Sequence, residues 1–244
     1  MSNPNPPEVK PEFFLIDDLL NWIHGGRIRI PEFQRPFVWK PEDIFKLFES
    51  IDRFYPIGSL LFWETDQTVS STGCIGPLEV PKSNEPGKYM YVLDGQQRLS
   101  TLYGALRLPA DFGRDAKGQQ WKWWLYYDLE ECVFKHVPNG QPKPECFPVR
   151  ALLRTKDFKR ETARLYEHFG EEAADRLIER AESLTQRLRS YKMTAMIIRG
   201  GDLDDAAEIF SRLNTAGQKI SKDQMLSALT HKEGEEAFDL ARPR

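Results

Sequence analysis

The stretch YMYVLDGQQRLSTLYGAL, residues 89–106, decides how this chain folds. Its first five residues are apolar or aromatic and have the length of a buried strand, whereas Leu99, Leu102 and Leu106 recur at helical spacing. The polar segment DGQQR, residues 94–98, stands between the two patterns. The stretch therefore predicts a strand that turns sharply into a helix. Because backbone amides at a helix start point outward and attract anions, this turn is a candidate site for a phosphate group.

Two interpretations of this turn remain open from the residues alone. In the first, Asp94 caps the helix, Gly95 permits the sharp turn, and Arg98 lies in the first helical turn. The helix dipole disfavours a cation there, and a local rule broken in this way often marks a functional site. In the second, Asp94 and Arg98, four residues apart with the acid first, form an ordinary surface ion pair. Spacing gives the two interpretations similar weight.

Two other polar motifs have the same ambiguity. Gln34 and Arg35 stand among aromatic residues and proline in FQRPFVW, residues 33–39. A guanidinium held among aromatic rings can bind phosphate or stack on a base. The residues alone favour a simpler arrangement, in which the loop packs on the core and Arg35 pairs with a carboxylate. Arg212 and Asn214 stand near a predicted helix end, where a cation and an asparagine are ordinary terminating residues.

The whole pattern predicts an α+β fold. Residues 1–11 are rich in proline and asparagine and are expected to form a disordered tail. Residues 12–150 alternate strand and helix patterns and predict a mixed sheet, with one strand over 121–127. Residues 151–244 are mainly helical by period and are expected to complete the same pocket, with a short strand over 195–198.

Composition narrows the possible functions. The 244 residues, 40% of them hydrophobic, can form one sizeable core, and the formal net charge of −3 restricts any DNA contact to a local patch. The three cysteines, Cys74, Cys132 and Cys146, are too widely spaced to suggest a disulfide framework, and with four scattered histidines no metal site is expected. The chain has no signal-peptide pattern, no apolar run of about 20 residues and no P-loop motif. We therefore expect a cytoplasmic protein with no membrane partner.

Four motifs in order carry a family resemblance. They are IPEFQRPFVW (30–39), YPIGSLLFW (55–63), DGQQRLSTL (94–102) and IFSRLNTAG (209–217). Together they resemble the DGQQR-motif family, the N-terminal domain type of GmrSD-like modification-dependent restriction enzymes. The resemblance covers roughly residues 12–230 and implies a ParB/sulfiredoxin-like nuclease fold, with a mixed sheet core and a helical C-terminal portion.

The resemblance also implies an activity. It implies binding and hydrolysis of a nucleoside triphosphate (NTP) with Mg²⁺, in a sensor domain for DNA restriction or phage defence. Arg98 would hold phosphate oxygens, and Asp94 would act as a base or a metal contact. The residues assigned to catalysis are Asp94, Gln96, Gln97 and Arg98. The residues assigned to nucleotide or DNA binding are Gln34, Arg35, Arg212 and Asn214.

Two departures from the family pattern leave other functions open. Phe33 and Phe37 stand where the family loop has tyrosines, so those rings lack the hydroxyls for reading DNA. The chain also ends at Arg244 without the His-Asn-His nuclease domain of many relatives, so we expect cleavage to need a further domain or partner chain. The alternatives are a DNA-binding module without catalysis and a ParB-like nuclease that acts alone.

Overall fold

A five-stranded mixed sheet lies at the centre of the structure, a computed structural model that describes residues 6–81, 88–113, 120–137 and 141–213. The described residues also form two smaller sheets, one of two strands and one of three. The elements in chain order are β1 (Glu8–Leu15), α1 (Ile16–His24), β2 (Ile28–Arg29), α2 (Pro41–Asp52), β3 (Leu60–Thr65), β4 (Cys74–Ile75), β5 (Leu78–Glu79), β6 (Tyr89–Asp94), α3 (Gln96–Leu106), a 3₁₀ turn (Gln120–Trp123), β7 (Leu125–Asp128), β8 (Val133–His136), β9 (Cys146–Pro148), α4 (Val149–Leu152), α5 (Thr155–Phe169), α6 (Glu171–Ser190), β10 (Lys192–Arg199) and α7 (Leu203–Leu213).

The central sheet is apolar on both faces. Its strand order is β1-β10-β3-β6-β2, in which β10–β3 and β6–β2 are parallel and the other two pairs are antiparallel. Because side chains alternate along a strand, Leu60 and Phe62 of β3 join a large core that includes α1, α2 and α3. Leu61 and Trp63 point the other way, into a smaller core with Phe210 of α7. This burial on both faces explains why the strand sequences are almost continuously apolar.

The architecture confirms the predicted α+β class. The helices of the C-terminal portion do not form a separate core, because Leu184 of α6 belongs to the same apolar cluster as Leu102 of α3. β10 also returns to the central sheet between β1 and β3. Among the described residues, no helix combines the length and apolarity needed to cross a membrane.

The predicted disordered tail is wrong for residues 8–11. They are part of β1, which pairs with β10 along its whole length, from Glu8 opposite Arg199 to Leu15 opposite Lys192. An ion pair of 2.6 Å between Arg199 and Glu12 adds to these backbone bonds. Because β1 is an edge strand, it tolerates the proline at position 11. Residues 1–5 of the predicted tail lie outside the described residues.

The strand boundaries differ from the prediction at two other places. The predicted strand over 121–127 is a 3₁₀ turn followed by β7, because the ring of Trp123 packs so closely on α3 that a Cβ added at Gly104 would lie 2.6 Å from it. The strand predicted over 195–198 extends over Lys192–Arg199. Tertiary contacts with distant elements set both boundaries.

Candidate functional site

Gly95 forms the turn between β6 and α3. Its φ is +96°, in the left-handed region, and a Cβ added there would lie 2.3 Å from Cδ2 of Leu60. A residue with a side chain would therefore be strained in its backbone and would clash with β3. Gly95 occupies the N-cap position of α3, and Asp94 makes no capping bond, so the prediction that Asp94 caps the helix is wrong. Within the described chain, no group accepts a hydrogen bond from the first-turn amides of Gln96, Gln97 and Arg98.

The guanidinium of Arg98 joins this turn to a neighbouring one. Nη1 donates to the carbonyl of Ile57 at 2.8 Å, and Nη2 donates to the carbonyl of Ser59 at 2.9 Å and to Oδ2 of Asp94 at 3.1 Å. The side chain of Arg98 is only 14% exposed; burial lowers its pKa, and Asp94 acts in the opposite direction. Gly58, at φ +79°, allows this approach, because a Cβ there would lie 2.8 Å from Nη1. The predicted ion pair between Asp94 and Arg98 is present. Most of the hydrogen bonds that Arg98 donates, however, go to backbone carbonyl groups.

Two glutamine side chains fix the loop that precedes α2. Gln97 accepts from the amide of Val38 at 2.9 Å and donates to the carbonyl of Pro36 at 3.2 Å. Gln34 donates through Nε2 to the carbonyl of Leu93 at 2.7 Å, at the end of β6. Through these hydrogen bonds, both side-chain amides connect the loop to the β6–α3 turn. The motifs IPEFQRPFVW and DGQQRLSTL therefore form one hydrogen-bonded unit.

A cavity of about 230 Å³ opens at this unit. It is lined by Gln34, Arg35, Trp39, Asp94, Gly95, Gln96, Gln97 and Arg98. Arg35 is exposed, and no hydrogen bond or ion pair reaches its guanidinium within the described residues, so the expected pairing with a carboxylate is not found there. The Oε1 atom of Gln96 is buried and has no hydrogen-bond partner among the described residues. The carboxylate of Asp94, in contrast, is 56% exposed at the mouth.

The described part of the motif IFSRLNTAG, residues 209–213, lies on the other face of the central sheet and does not line this cavity. Phe210 of α7 belongs to the smaller core, against which Phe33 of the loop also packs. Arg212 is exposed and pairs with Glu208 at 2.8 Å, and it is not among the residues that line the cavity. Asn214 lies outside the described residues. Six of the eight residues named from the sequence therefore meet at one place.

Sequence reasoning missed Trp39 and the carbonyls of Ile57 and Ser59. Trp39 belongs to a quoted motif, but its aromatic side chain gave no reason to place it beside Asp94. Backbone carbonyls have no side-chain signature at all. Gly58 in the motif YPIGSLLFW was the available signal, since a glycine before a buried strand often marks a close approach.

The electrostatics of the cavity favour an anion. The start of α3 carries the positive end of its dipole, and two arginines face one carboxylate. A phosphate could accept from the free α3 amides and from Arg35 without breaking any described hydrogen bond. In the part of the chain that the structure describes, no group of three or more histidine, cysteine, aspartate or glutamate side chains is placed to hold a metal ion.

Two comparisons place the chain among known proteins. The family model described as "GmrSD restriction endonuclease, N-terminal domain" matches residues 16–231. An uncharacterized protein of Methanocaldococcus jannaschii is 25% identical over 241 residues. That alignment covers 88% of this chain and 41% of the relative, so the chain spans about two-fifths of that protein.

Proposed function

This chain belongs to the family of GmrSD restriction endonuclease N-terminal domains, and from that premise we propose that it binds and hydrolyses a nucleoside triphosphate as the sensor domain of a DNA restriction or phage-defence system. The phosphates bind at the β6–α3 turn. DNA and a nuclease domain or partner chain are its proposed partners, and the cytoplasm is its proposed location.

A single observation carries the proposal: the amide donors at the start of α3 are unused within the described chain, beside a cavity that Arg35 also lines. The amides of Gln96, Gln97 and Arg98 are uncapped, and Arg35 stands beside them without a partner in the described chain. A helix of 11 residues has a full dipole at its start, and an arginine can bind a phosphate through two parallel bonds. Since Gly95 has no side chain, the phosphate can approach the backbone closely.

Arg98 and Arg35 have different roles in the proposed site, whereas the sequence assigned the holding of phosphate oxygens to Arg98. Arg98 is held by two carbonyls and Asp94, so it positions the turn and contributes its charge from the side. Arg35 has no such bonds to the described residues and is the cation that contacts the phosphate. In the same way, Gln97 and Gln34 hold the loop that presents Arg35. The DGQQR segment then acts as a scaffold around a small number of ligand-contacting groups.

Asp94 is the proposed acidic group of the hydrolysis. Its Oδ2 pairs with Arg98, and its carboxylate is more than half exposed beside the free amides. Magnesium in phosphate sites is commonly held by one or two carboxylates together with the phosphates, so the residues fit an ion that enters with the nucleotide. Asp94 would hold it, and the ion would neutralise charge on the phosphates. Alternatively Asp94 accepts the proton of the attacking water.

Binding should be tested first, with purified chain and Mg²⁺. Calorimetric titration with a panel of nucleoside triphosphates is expected to show binding that Arg35→Ala weakens by about tenfold or more. Arg176→Ala is the matched control, because that arginine is exposed on α6 and does not line the cavity. The proposal fails if no triphosphate binds with or without DNA.

Hydrolysis needs a separate test. Asp94→Asn keeps the shape and the bond to Arg98 but removes the charge, so phosphate release should fall to background while triphosphate affinity changes by only a few-fold. Unchanged phosphate release would exclude the role given to Asp94. Salt-dependent DNA binding by a chain that binds no triphosphate would instead support the non-catalytic DNA-binding module.

A further inference from the structure

A second cavity, of about 530 Å³, lies beside the turn that Arg98 holds. Its lining includes Phe54, Gly58, Ser59, Tyr191, Lys192 and Thr194. The two cavities are neighbours, because Nη2 of Arg98 donates both to the carbonyl of Ser59 in the second cavity and to Asp94 in the first. The Arg98 guanidinium therefore connects the linings of the two cavities.

The aromatic ring of Phe54 forms one wall of the second cavity, and the backbone of this residue has an unusual conformation. The helix α2 ends in a Schellman motif, in which the amide of Phe54 donates to Ile51 and the amide of Tyr55 donates to Ser50. Glycine is the usual residue at this position, but Phe54 occupies it at φ +55°. Phe54 as a whole is also 55% solvent-exposed. Phe54 therefore has a strained backbone, and its ring is only partly packed against the rest of the protein.

The rest of the cavity is preorganised around that ring. Phe54 stacks on Tyr191 with ring centroids 6.2 Å apart and planes 23° apart. The hydroxyl of Tyr191 donates to the carbonyl of Tyr55 at 2.7 Å, which fixes the wall. Lys192 is exposed and pairs with no carboxylate in the described chain, while Thr194 and Ser59 add hydroxyls. An exposed aromatic face with donors and hydroxyls around it is the chemistry that recognises a base and its sugar.

We propose that this second cavity binds the base and sugar of the nucleotide whose phosphates bind at the start of α3. The inference rests on the proposed function and adds where the nucleoside lies. The base stacks on Phe54, and Lys192, Ser59 and Thr194 offer hydrogen bonds to the sugar and the base edge. Stacking is tolerant of the base identity, so the site is expected to accept more than one nucleoside triphosphate.

Phe54→Gly tests this inference without damaging the fold. Glycine is the residue that the helix end normally takes, so the unfolding midpoint should not fall. Affinity for a nucleoside triphosphate with Mg²⁺ should fall by about 5- to 100-fold, the usual range for losing one base–aromatic stack. Affinity for inorganic tripolyphosphate with Mg²⁺, which has no base, should stay within about twofold of wild type. Tyr166→Ala removes an exposed aromatic that lines neither cavity and should change neither affinity.

The two ligands separate failure of this inference from failure of the proposed function. Wild-type affinity of Phe54→Gly for the triphosphate would overturn the inference and leave phosphate binding intact. An equal loss for triphosphate and tripolyphosphate would also overturn it, because the ring would then support the phosphate site rather than a base. If the wild-type chain binds neither ligand, the proposed function fails and the inference fails with it.

Discussion

Arg98→Ala should destabilise the chain strongly, because the side chain holds two backbone carbonyls. The substitution removes the bonds to Ile57 and Ser59, and hydrogen bonds to charged groups contribute about 1.5–3 kcal/mol each. Ser59 is exposed and Ile57 is half-buried, so water can replace part of this loss. The exposed carboxylate of Asp94 adds at most about 1 kcal/mol. The expected fall in the free energy of unfolding is therefore about 3 kcal/mol.

Urea and thermal unfolding, followed by circular dichroism, would measure this effect. For a chain of this size, 3 kcal/mol lowers the unfolding midpoint by about 6–12 °C. Arg176→Ala removes an arginine from an exposed pair with Glu172 and should cost less than about 0.5 kcal/mol. If Arg98→Ala is as stable as Arg176→Ala, the structural role assigned to Arg98 is wrong. If Arg98→Ala is unfolded at the assay temperature, its inactivity says nothing about catalysis.

Three further substitutions test other parts of the account. Gly95→Ala should destabilise the chain by about 1–3 kcal/mol, measured by urea unfolding, because the added Cβ meets Leu60 and the φ is positive. Gln97→Leu should release residues 36–38, which limited proteolysis would detect as new cleavage there, and should weaken triphosphate binding. Burial lowers the pKa of His136 to about 4, below its unfolded value near 6.5. The contribution of the neutral His136 to the free energy of unfolding is therefore fully present above about pH 6.5, and up to about 3 kcal/mol of it is lost as the pH drops toward 4. His136→Asn should remove this part of the pH dependence, which urea unfolding at pH 7 and pH 5 would measure.

The sequence predicted the central features of the fold because they depend on local patterns. The apolar run before Asp94 and the helical spacing after it predict β6 and α3, and both are present. The tail prediction failed at residues 8–11, because pairing with β10, almost two hundred residues away, outweighs their composition. The pairing of strands distant in sequence is not encoded in any single window of the chain.

The candidate site could be located from the sequence, but the roles within it could not. Gln34 and Gln97 line one cavity, whereas Arg212, which was assigned to the same site, does not. Which arginine is free depends on where the carbonyls of Ile57 and Ser59 point, and a carbonyl has the same chemistry in every residue. The family resemblance assigned phosphate binding to Arg98. The geometry gives Arg98 a structural role and leaves Arg35 available.

A crystal structure of the chain with a non-hydrolysable nucleoside triphosphate and Mg²⁺ would show whether the phosphates bind at the start of α3. We expect phosphate oxygens to accept hydrogen bonds from the amides of Gln96 and Gln97 and from the guanidinium of Arg35, with the bonds from Arg98 to Ile57 and Ser59 intact. A nucleotide bound elsewhere, with the start of α3 still uncapped, would contradict the account.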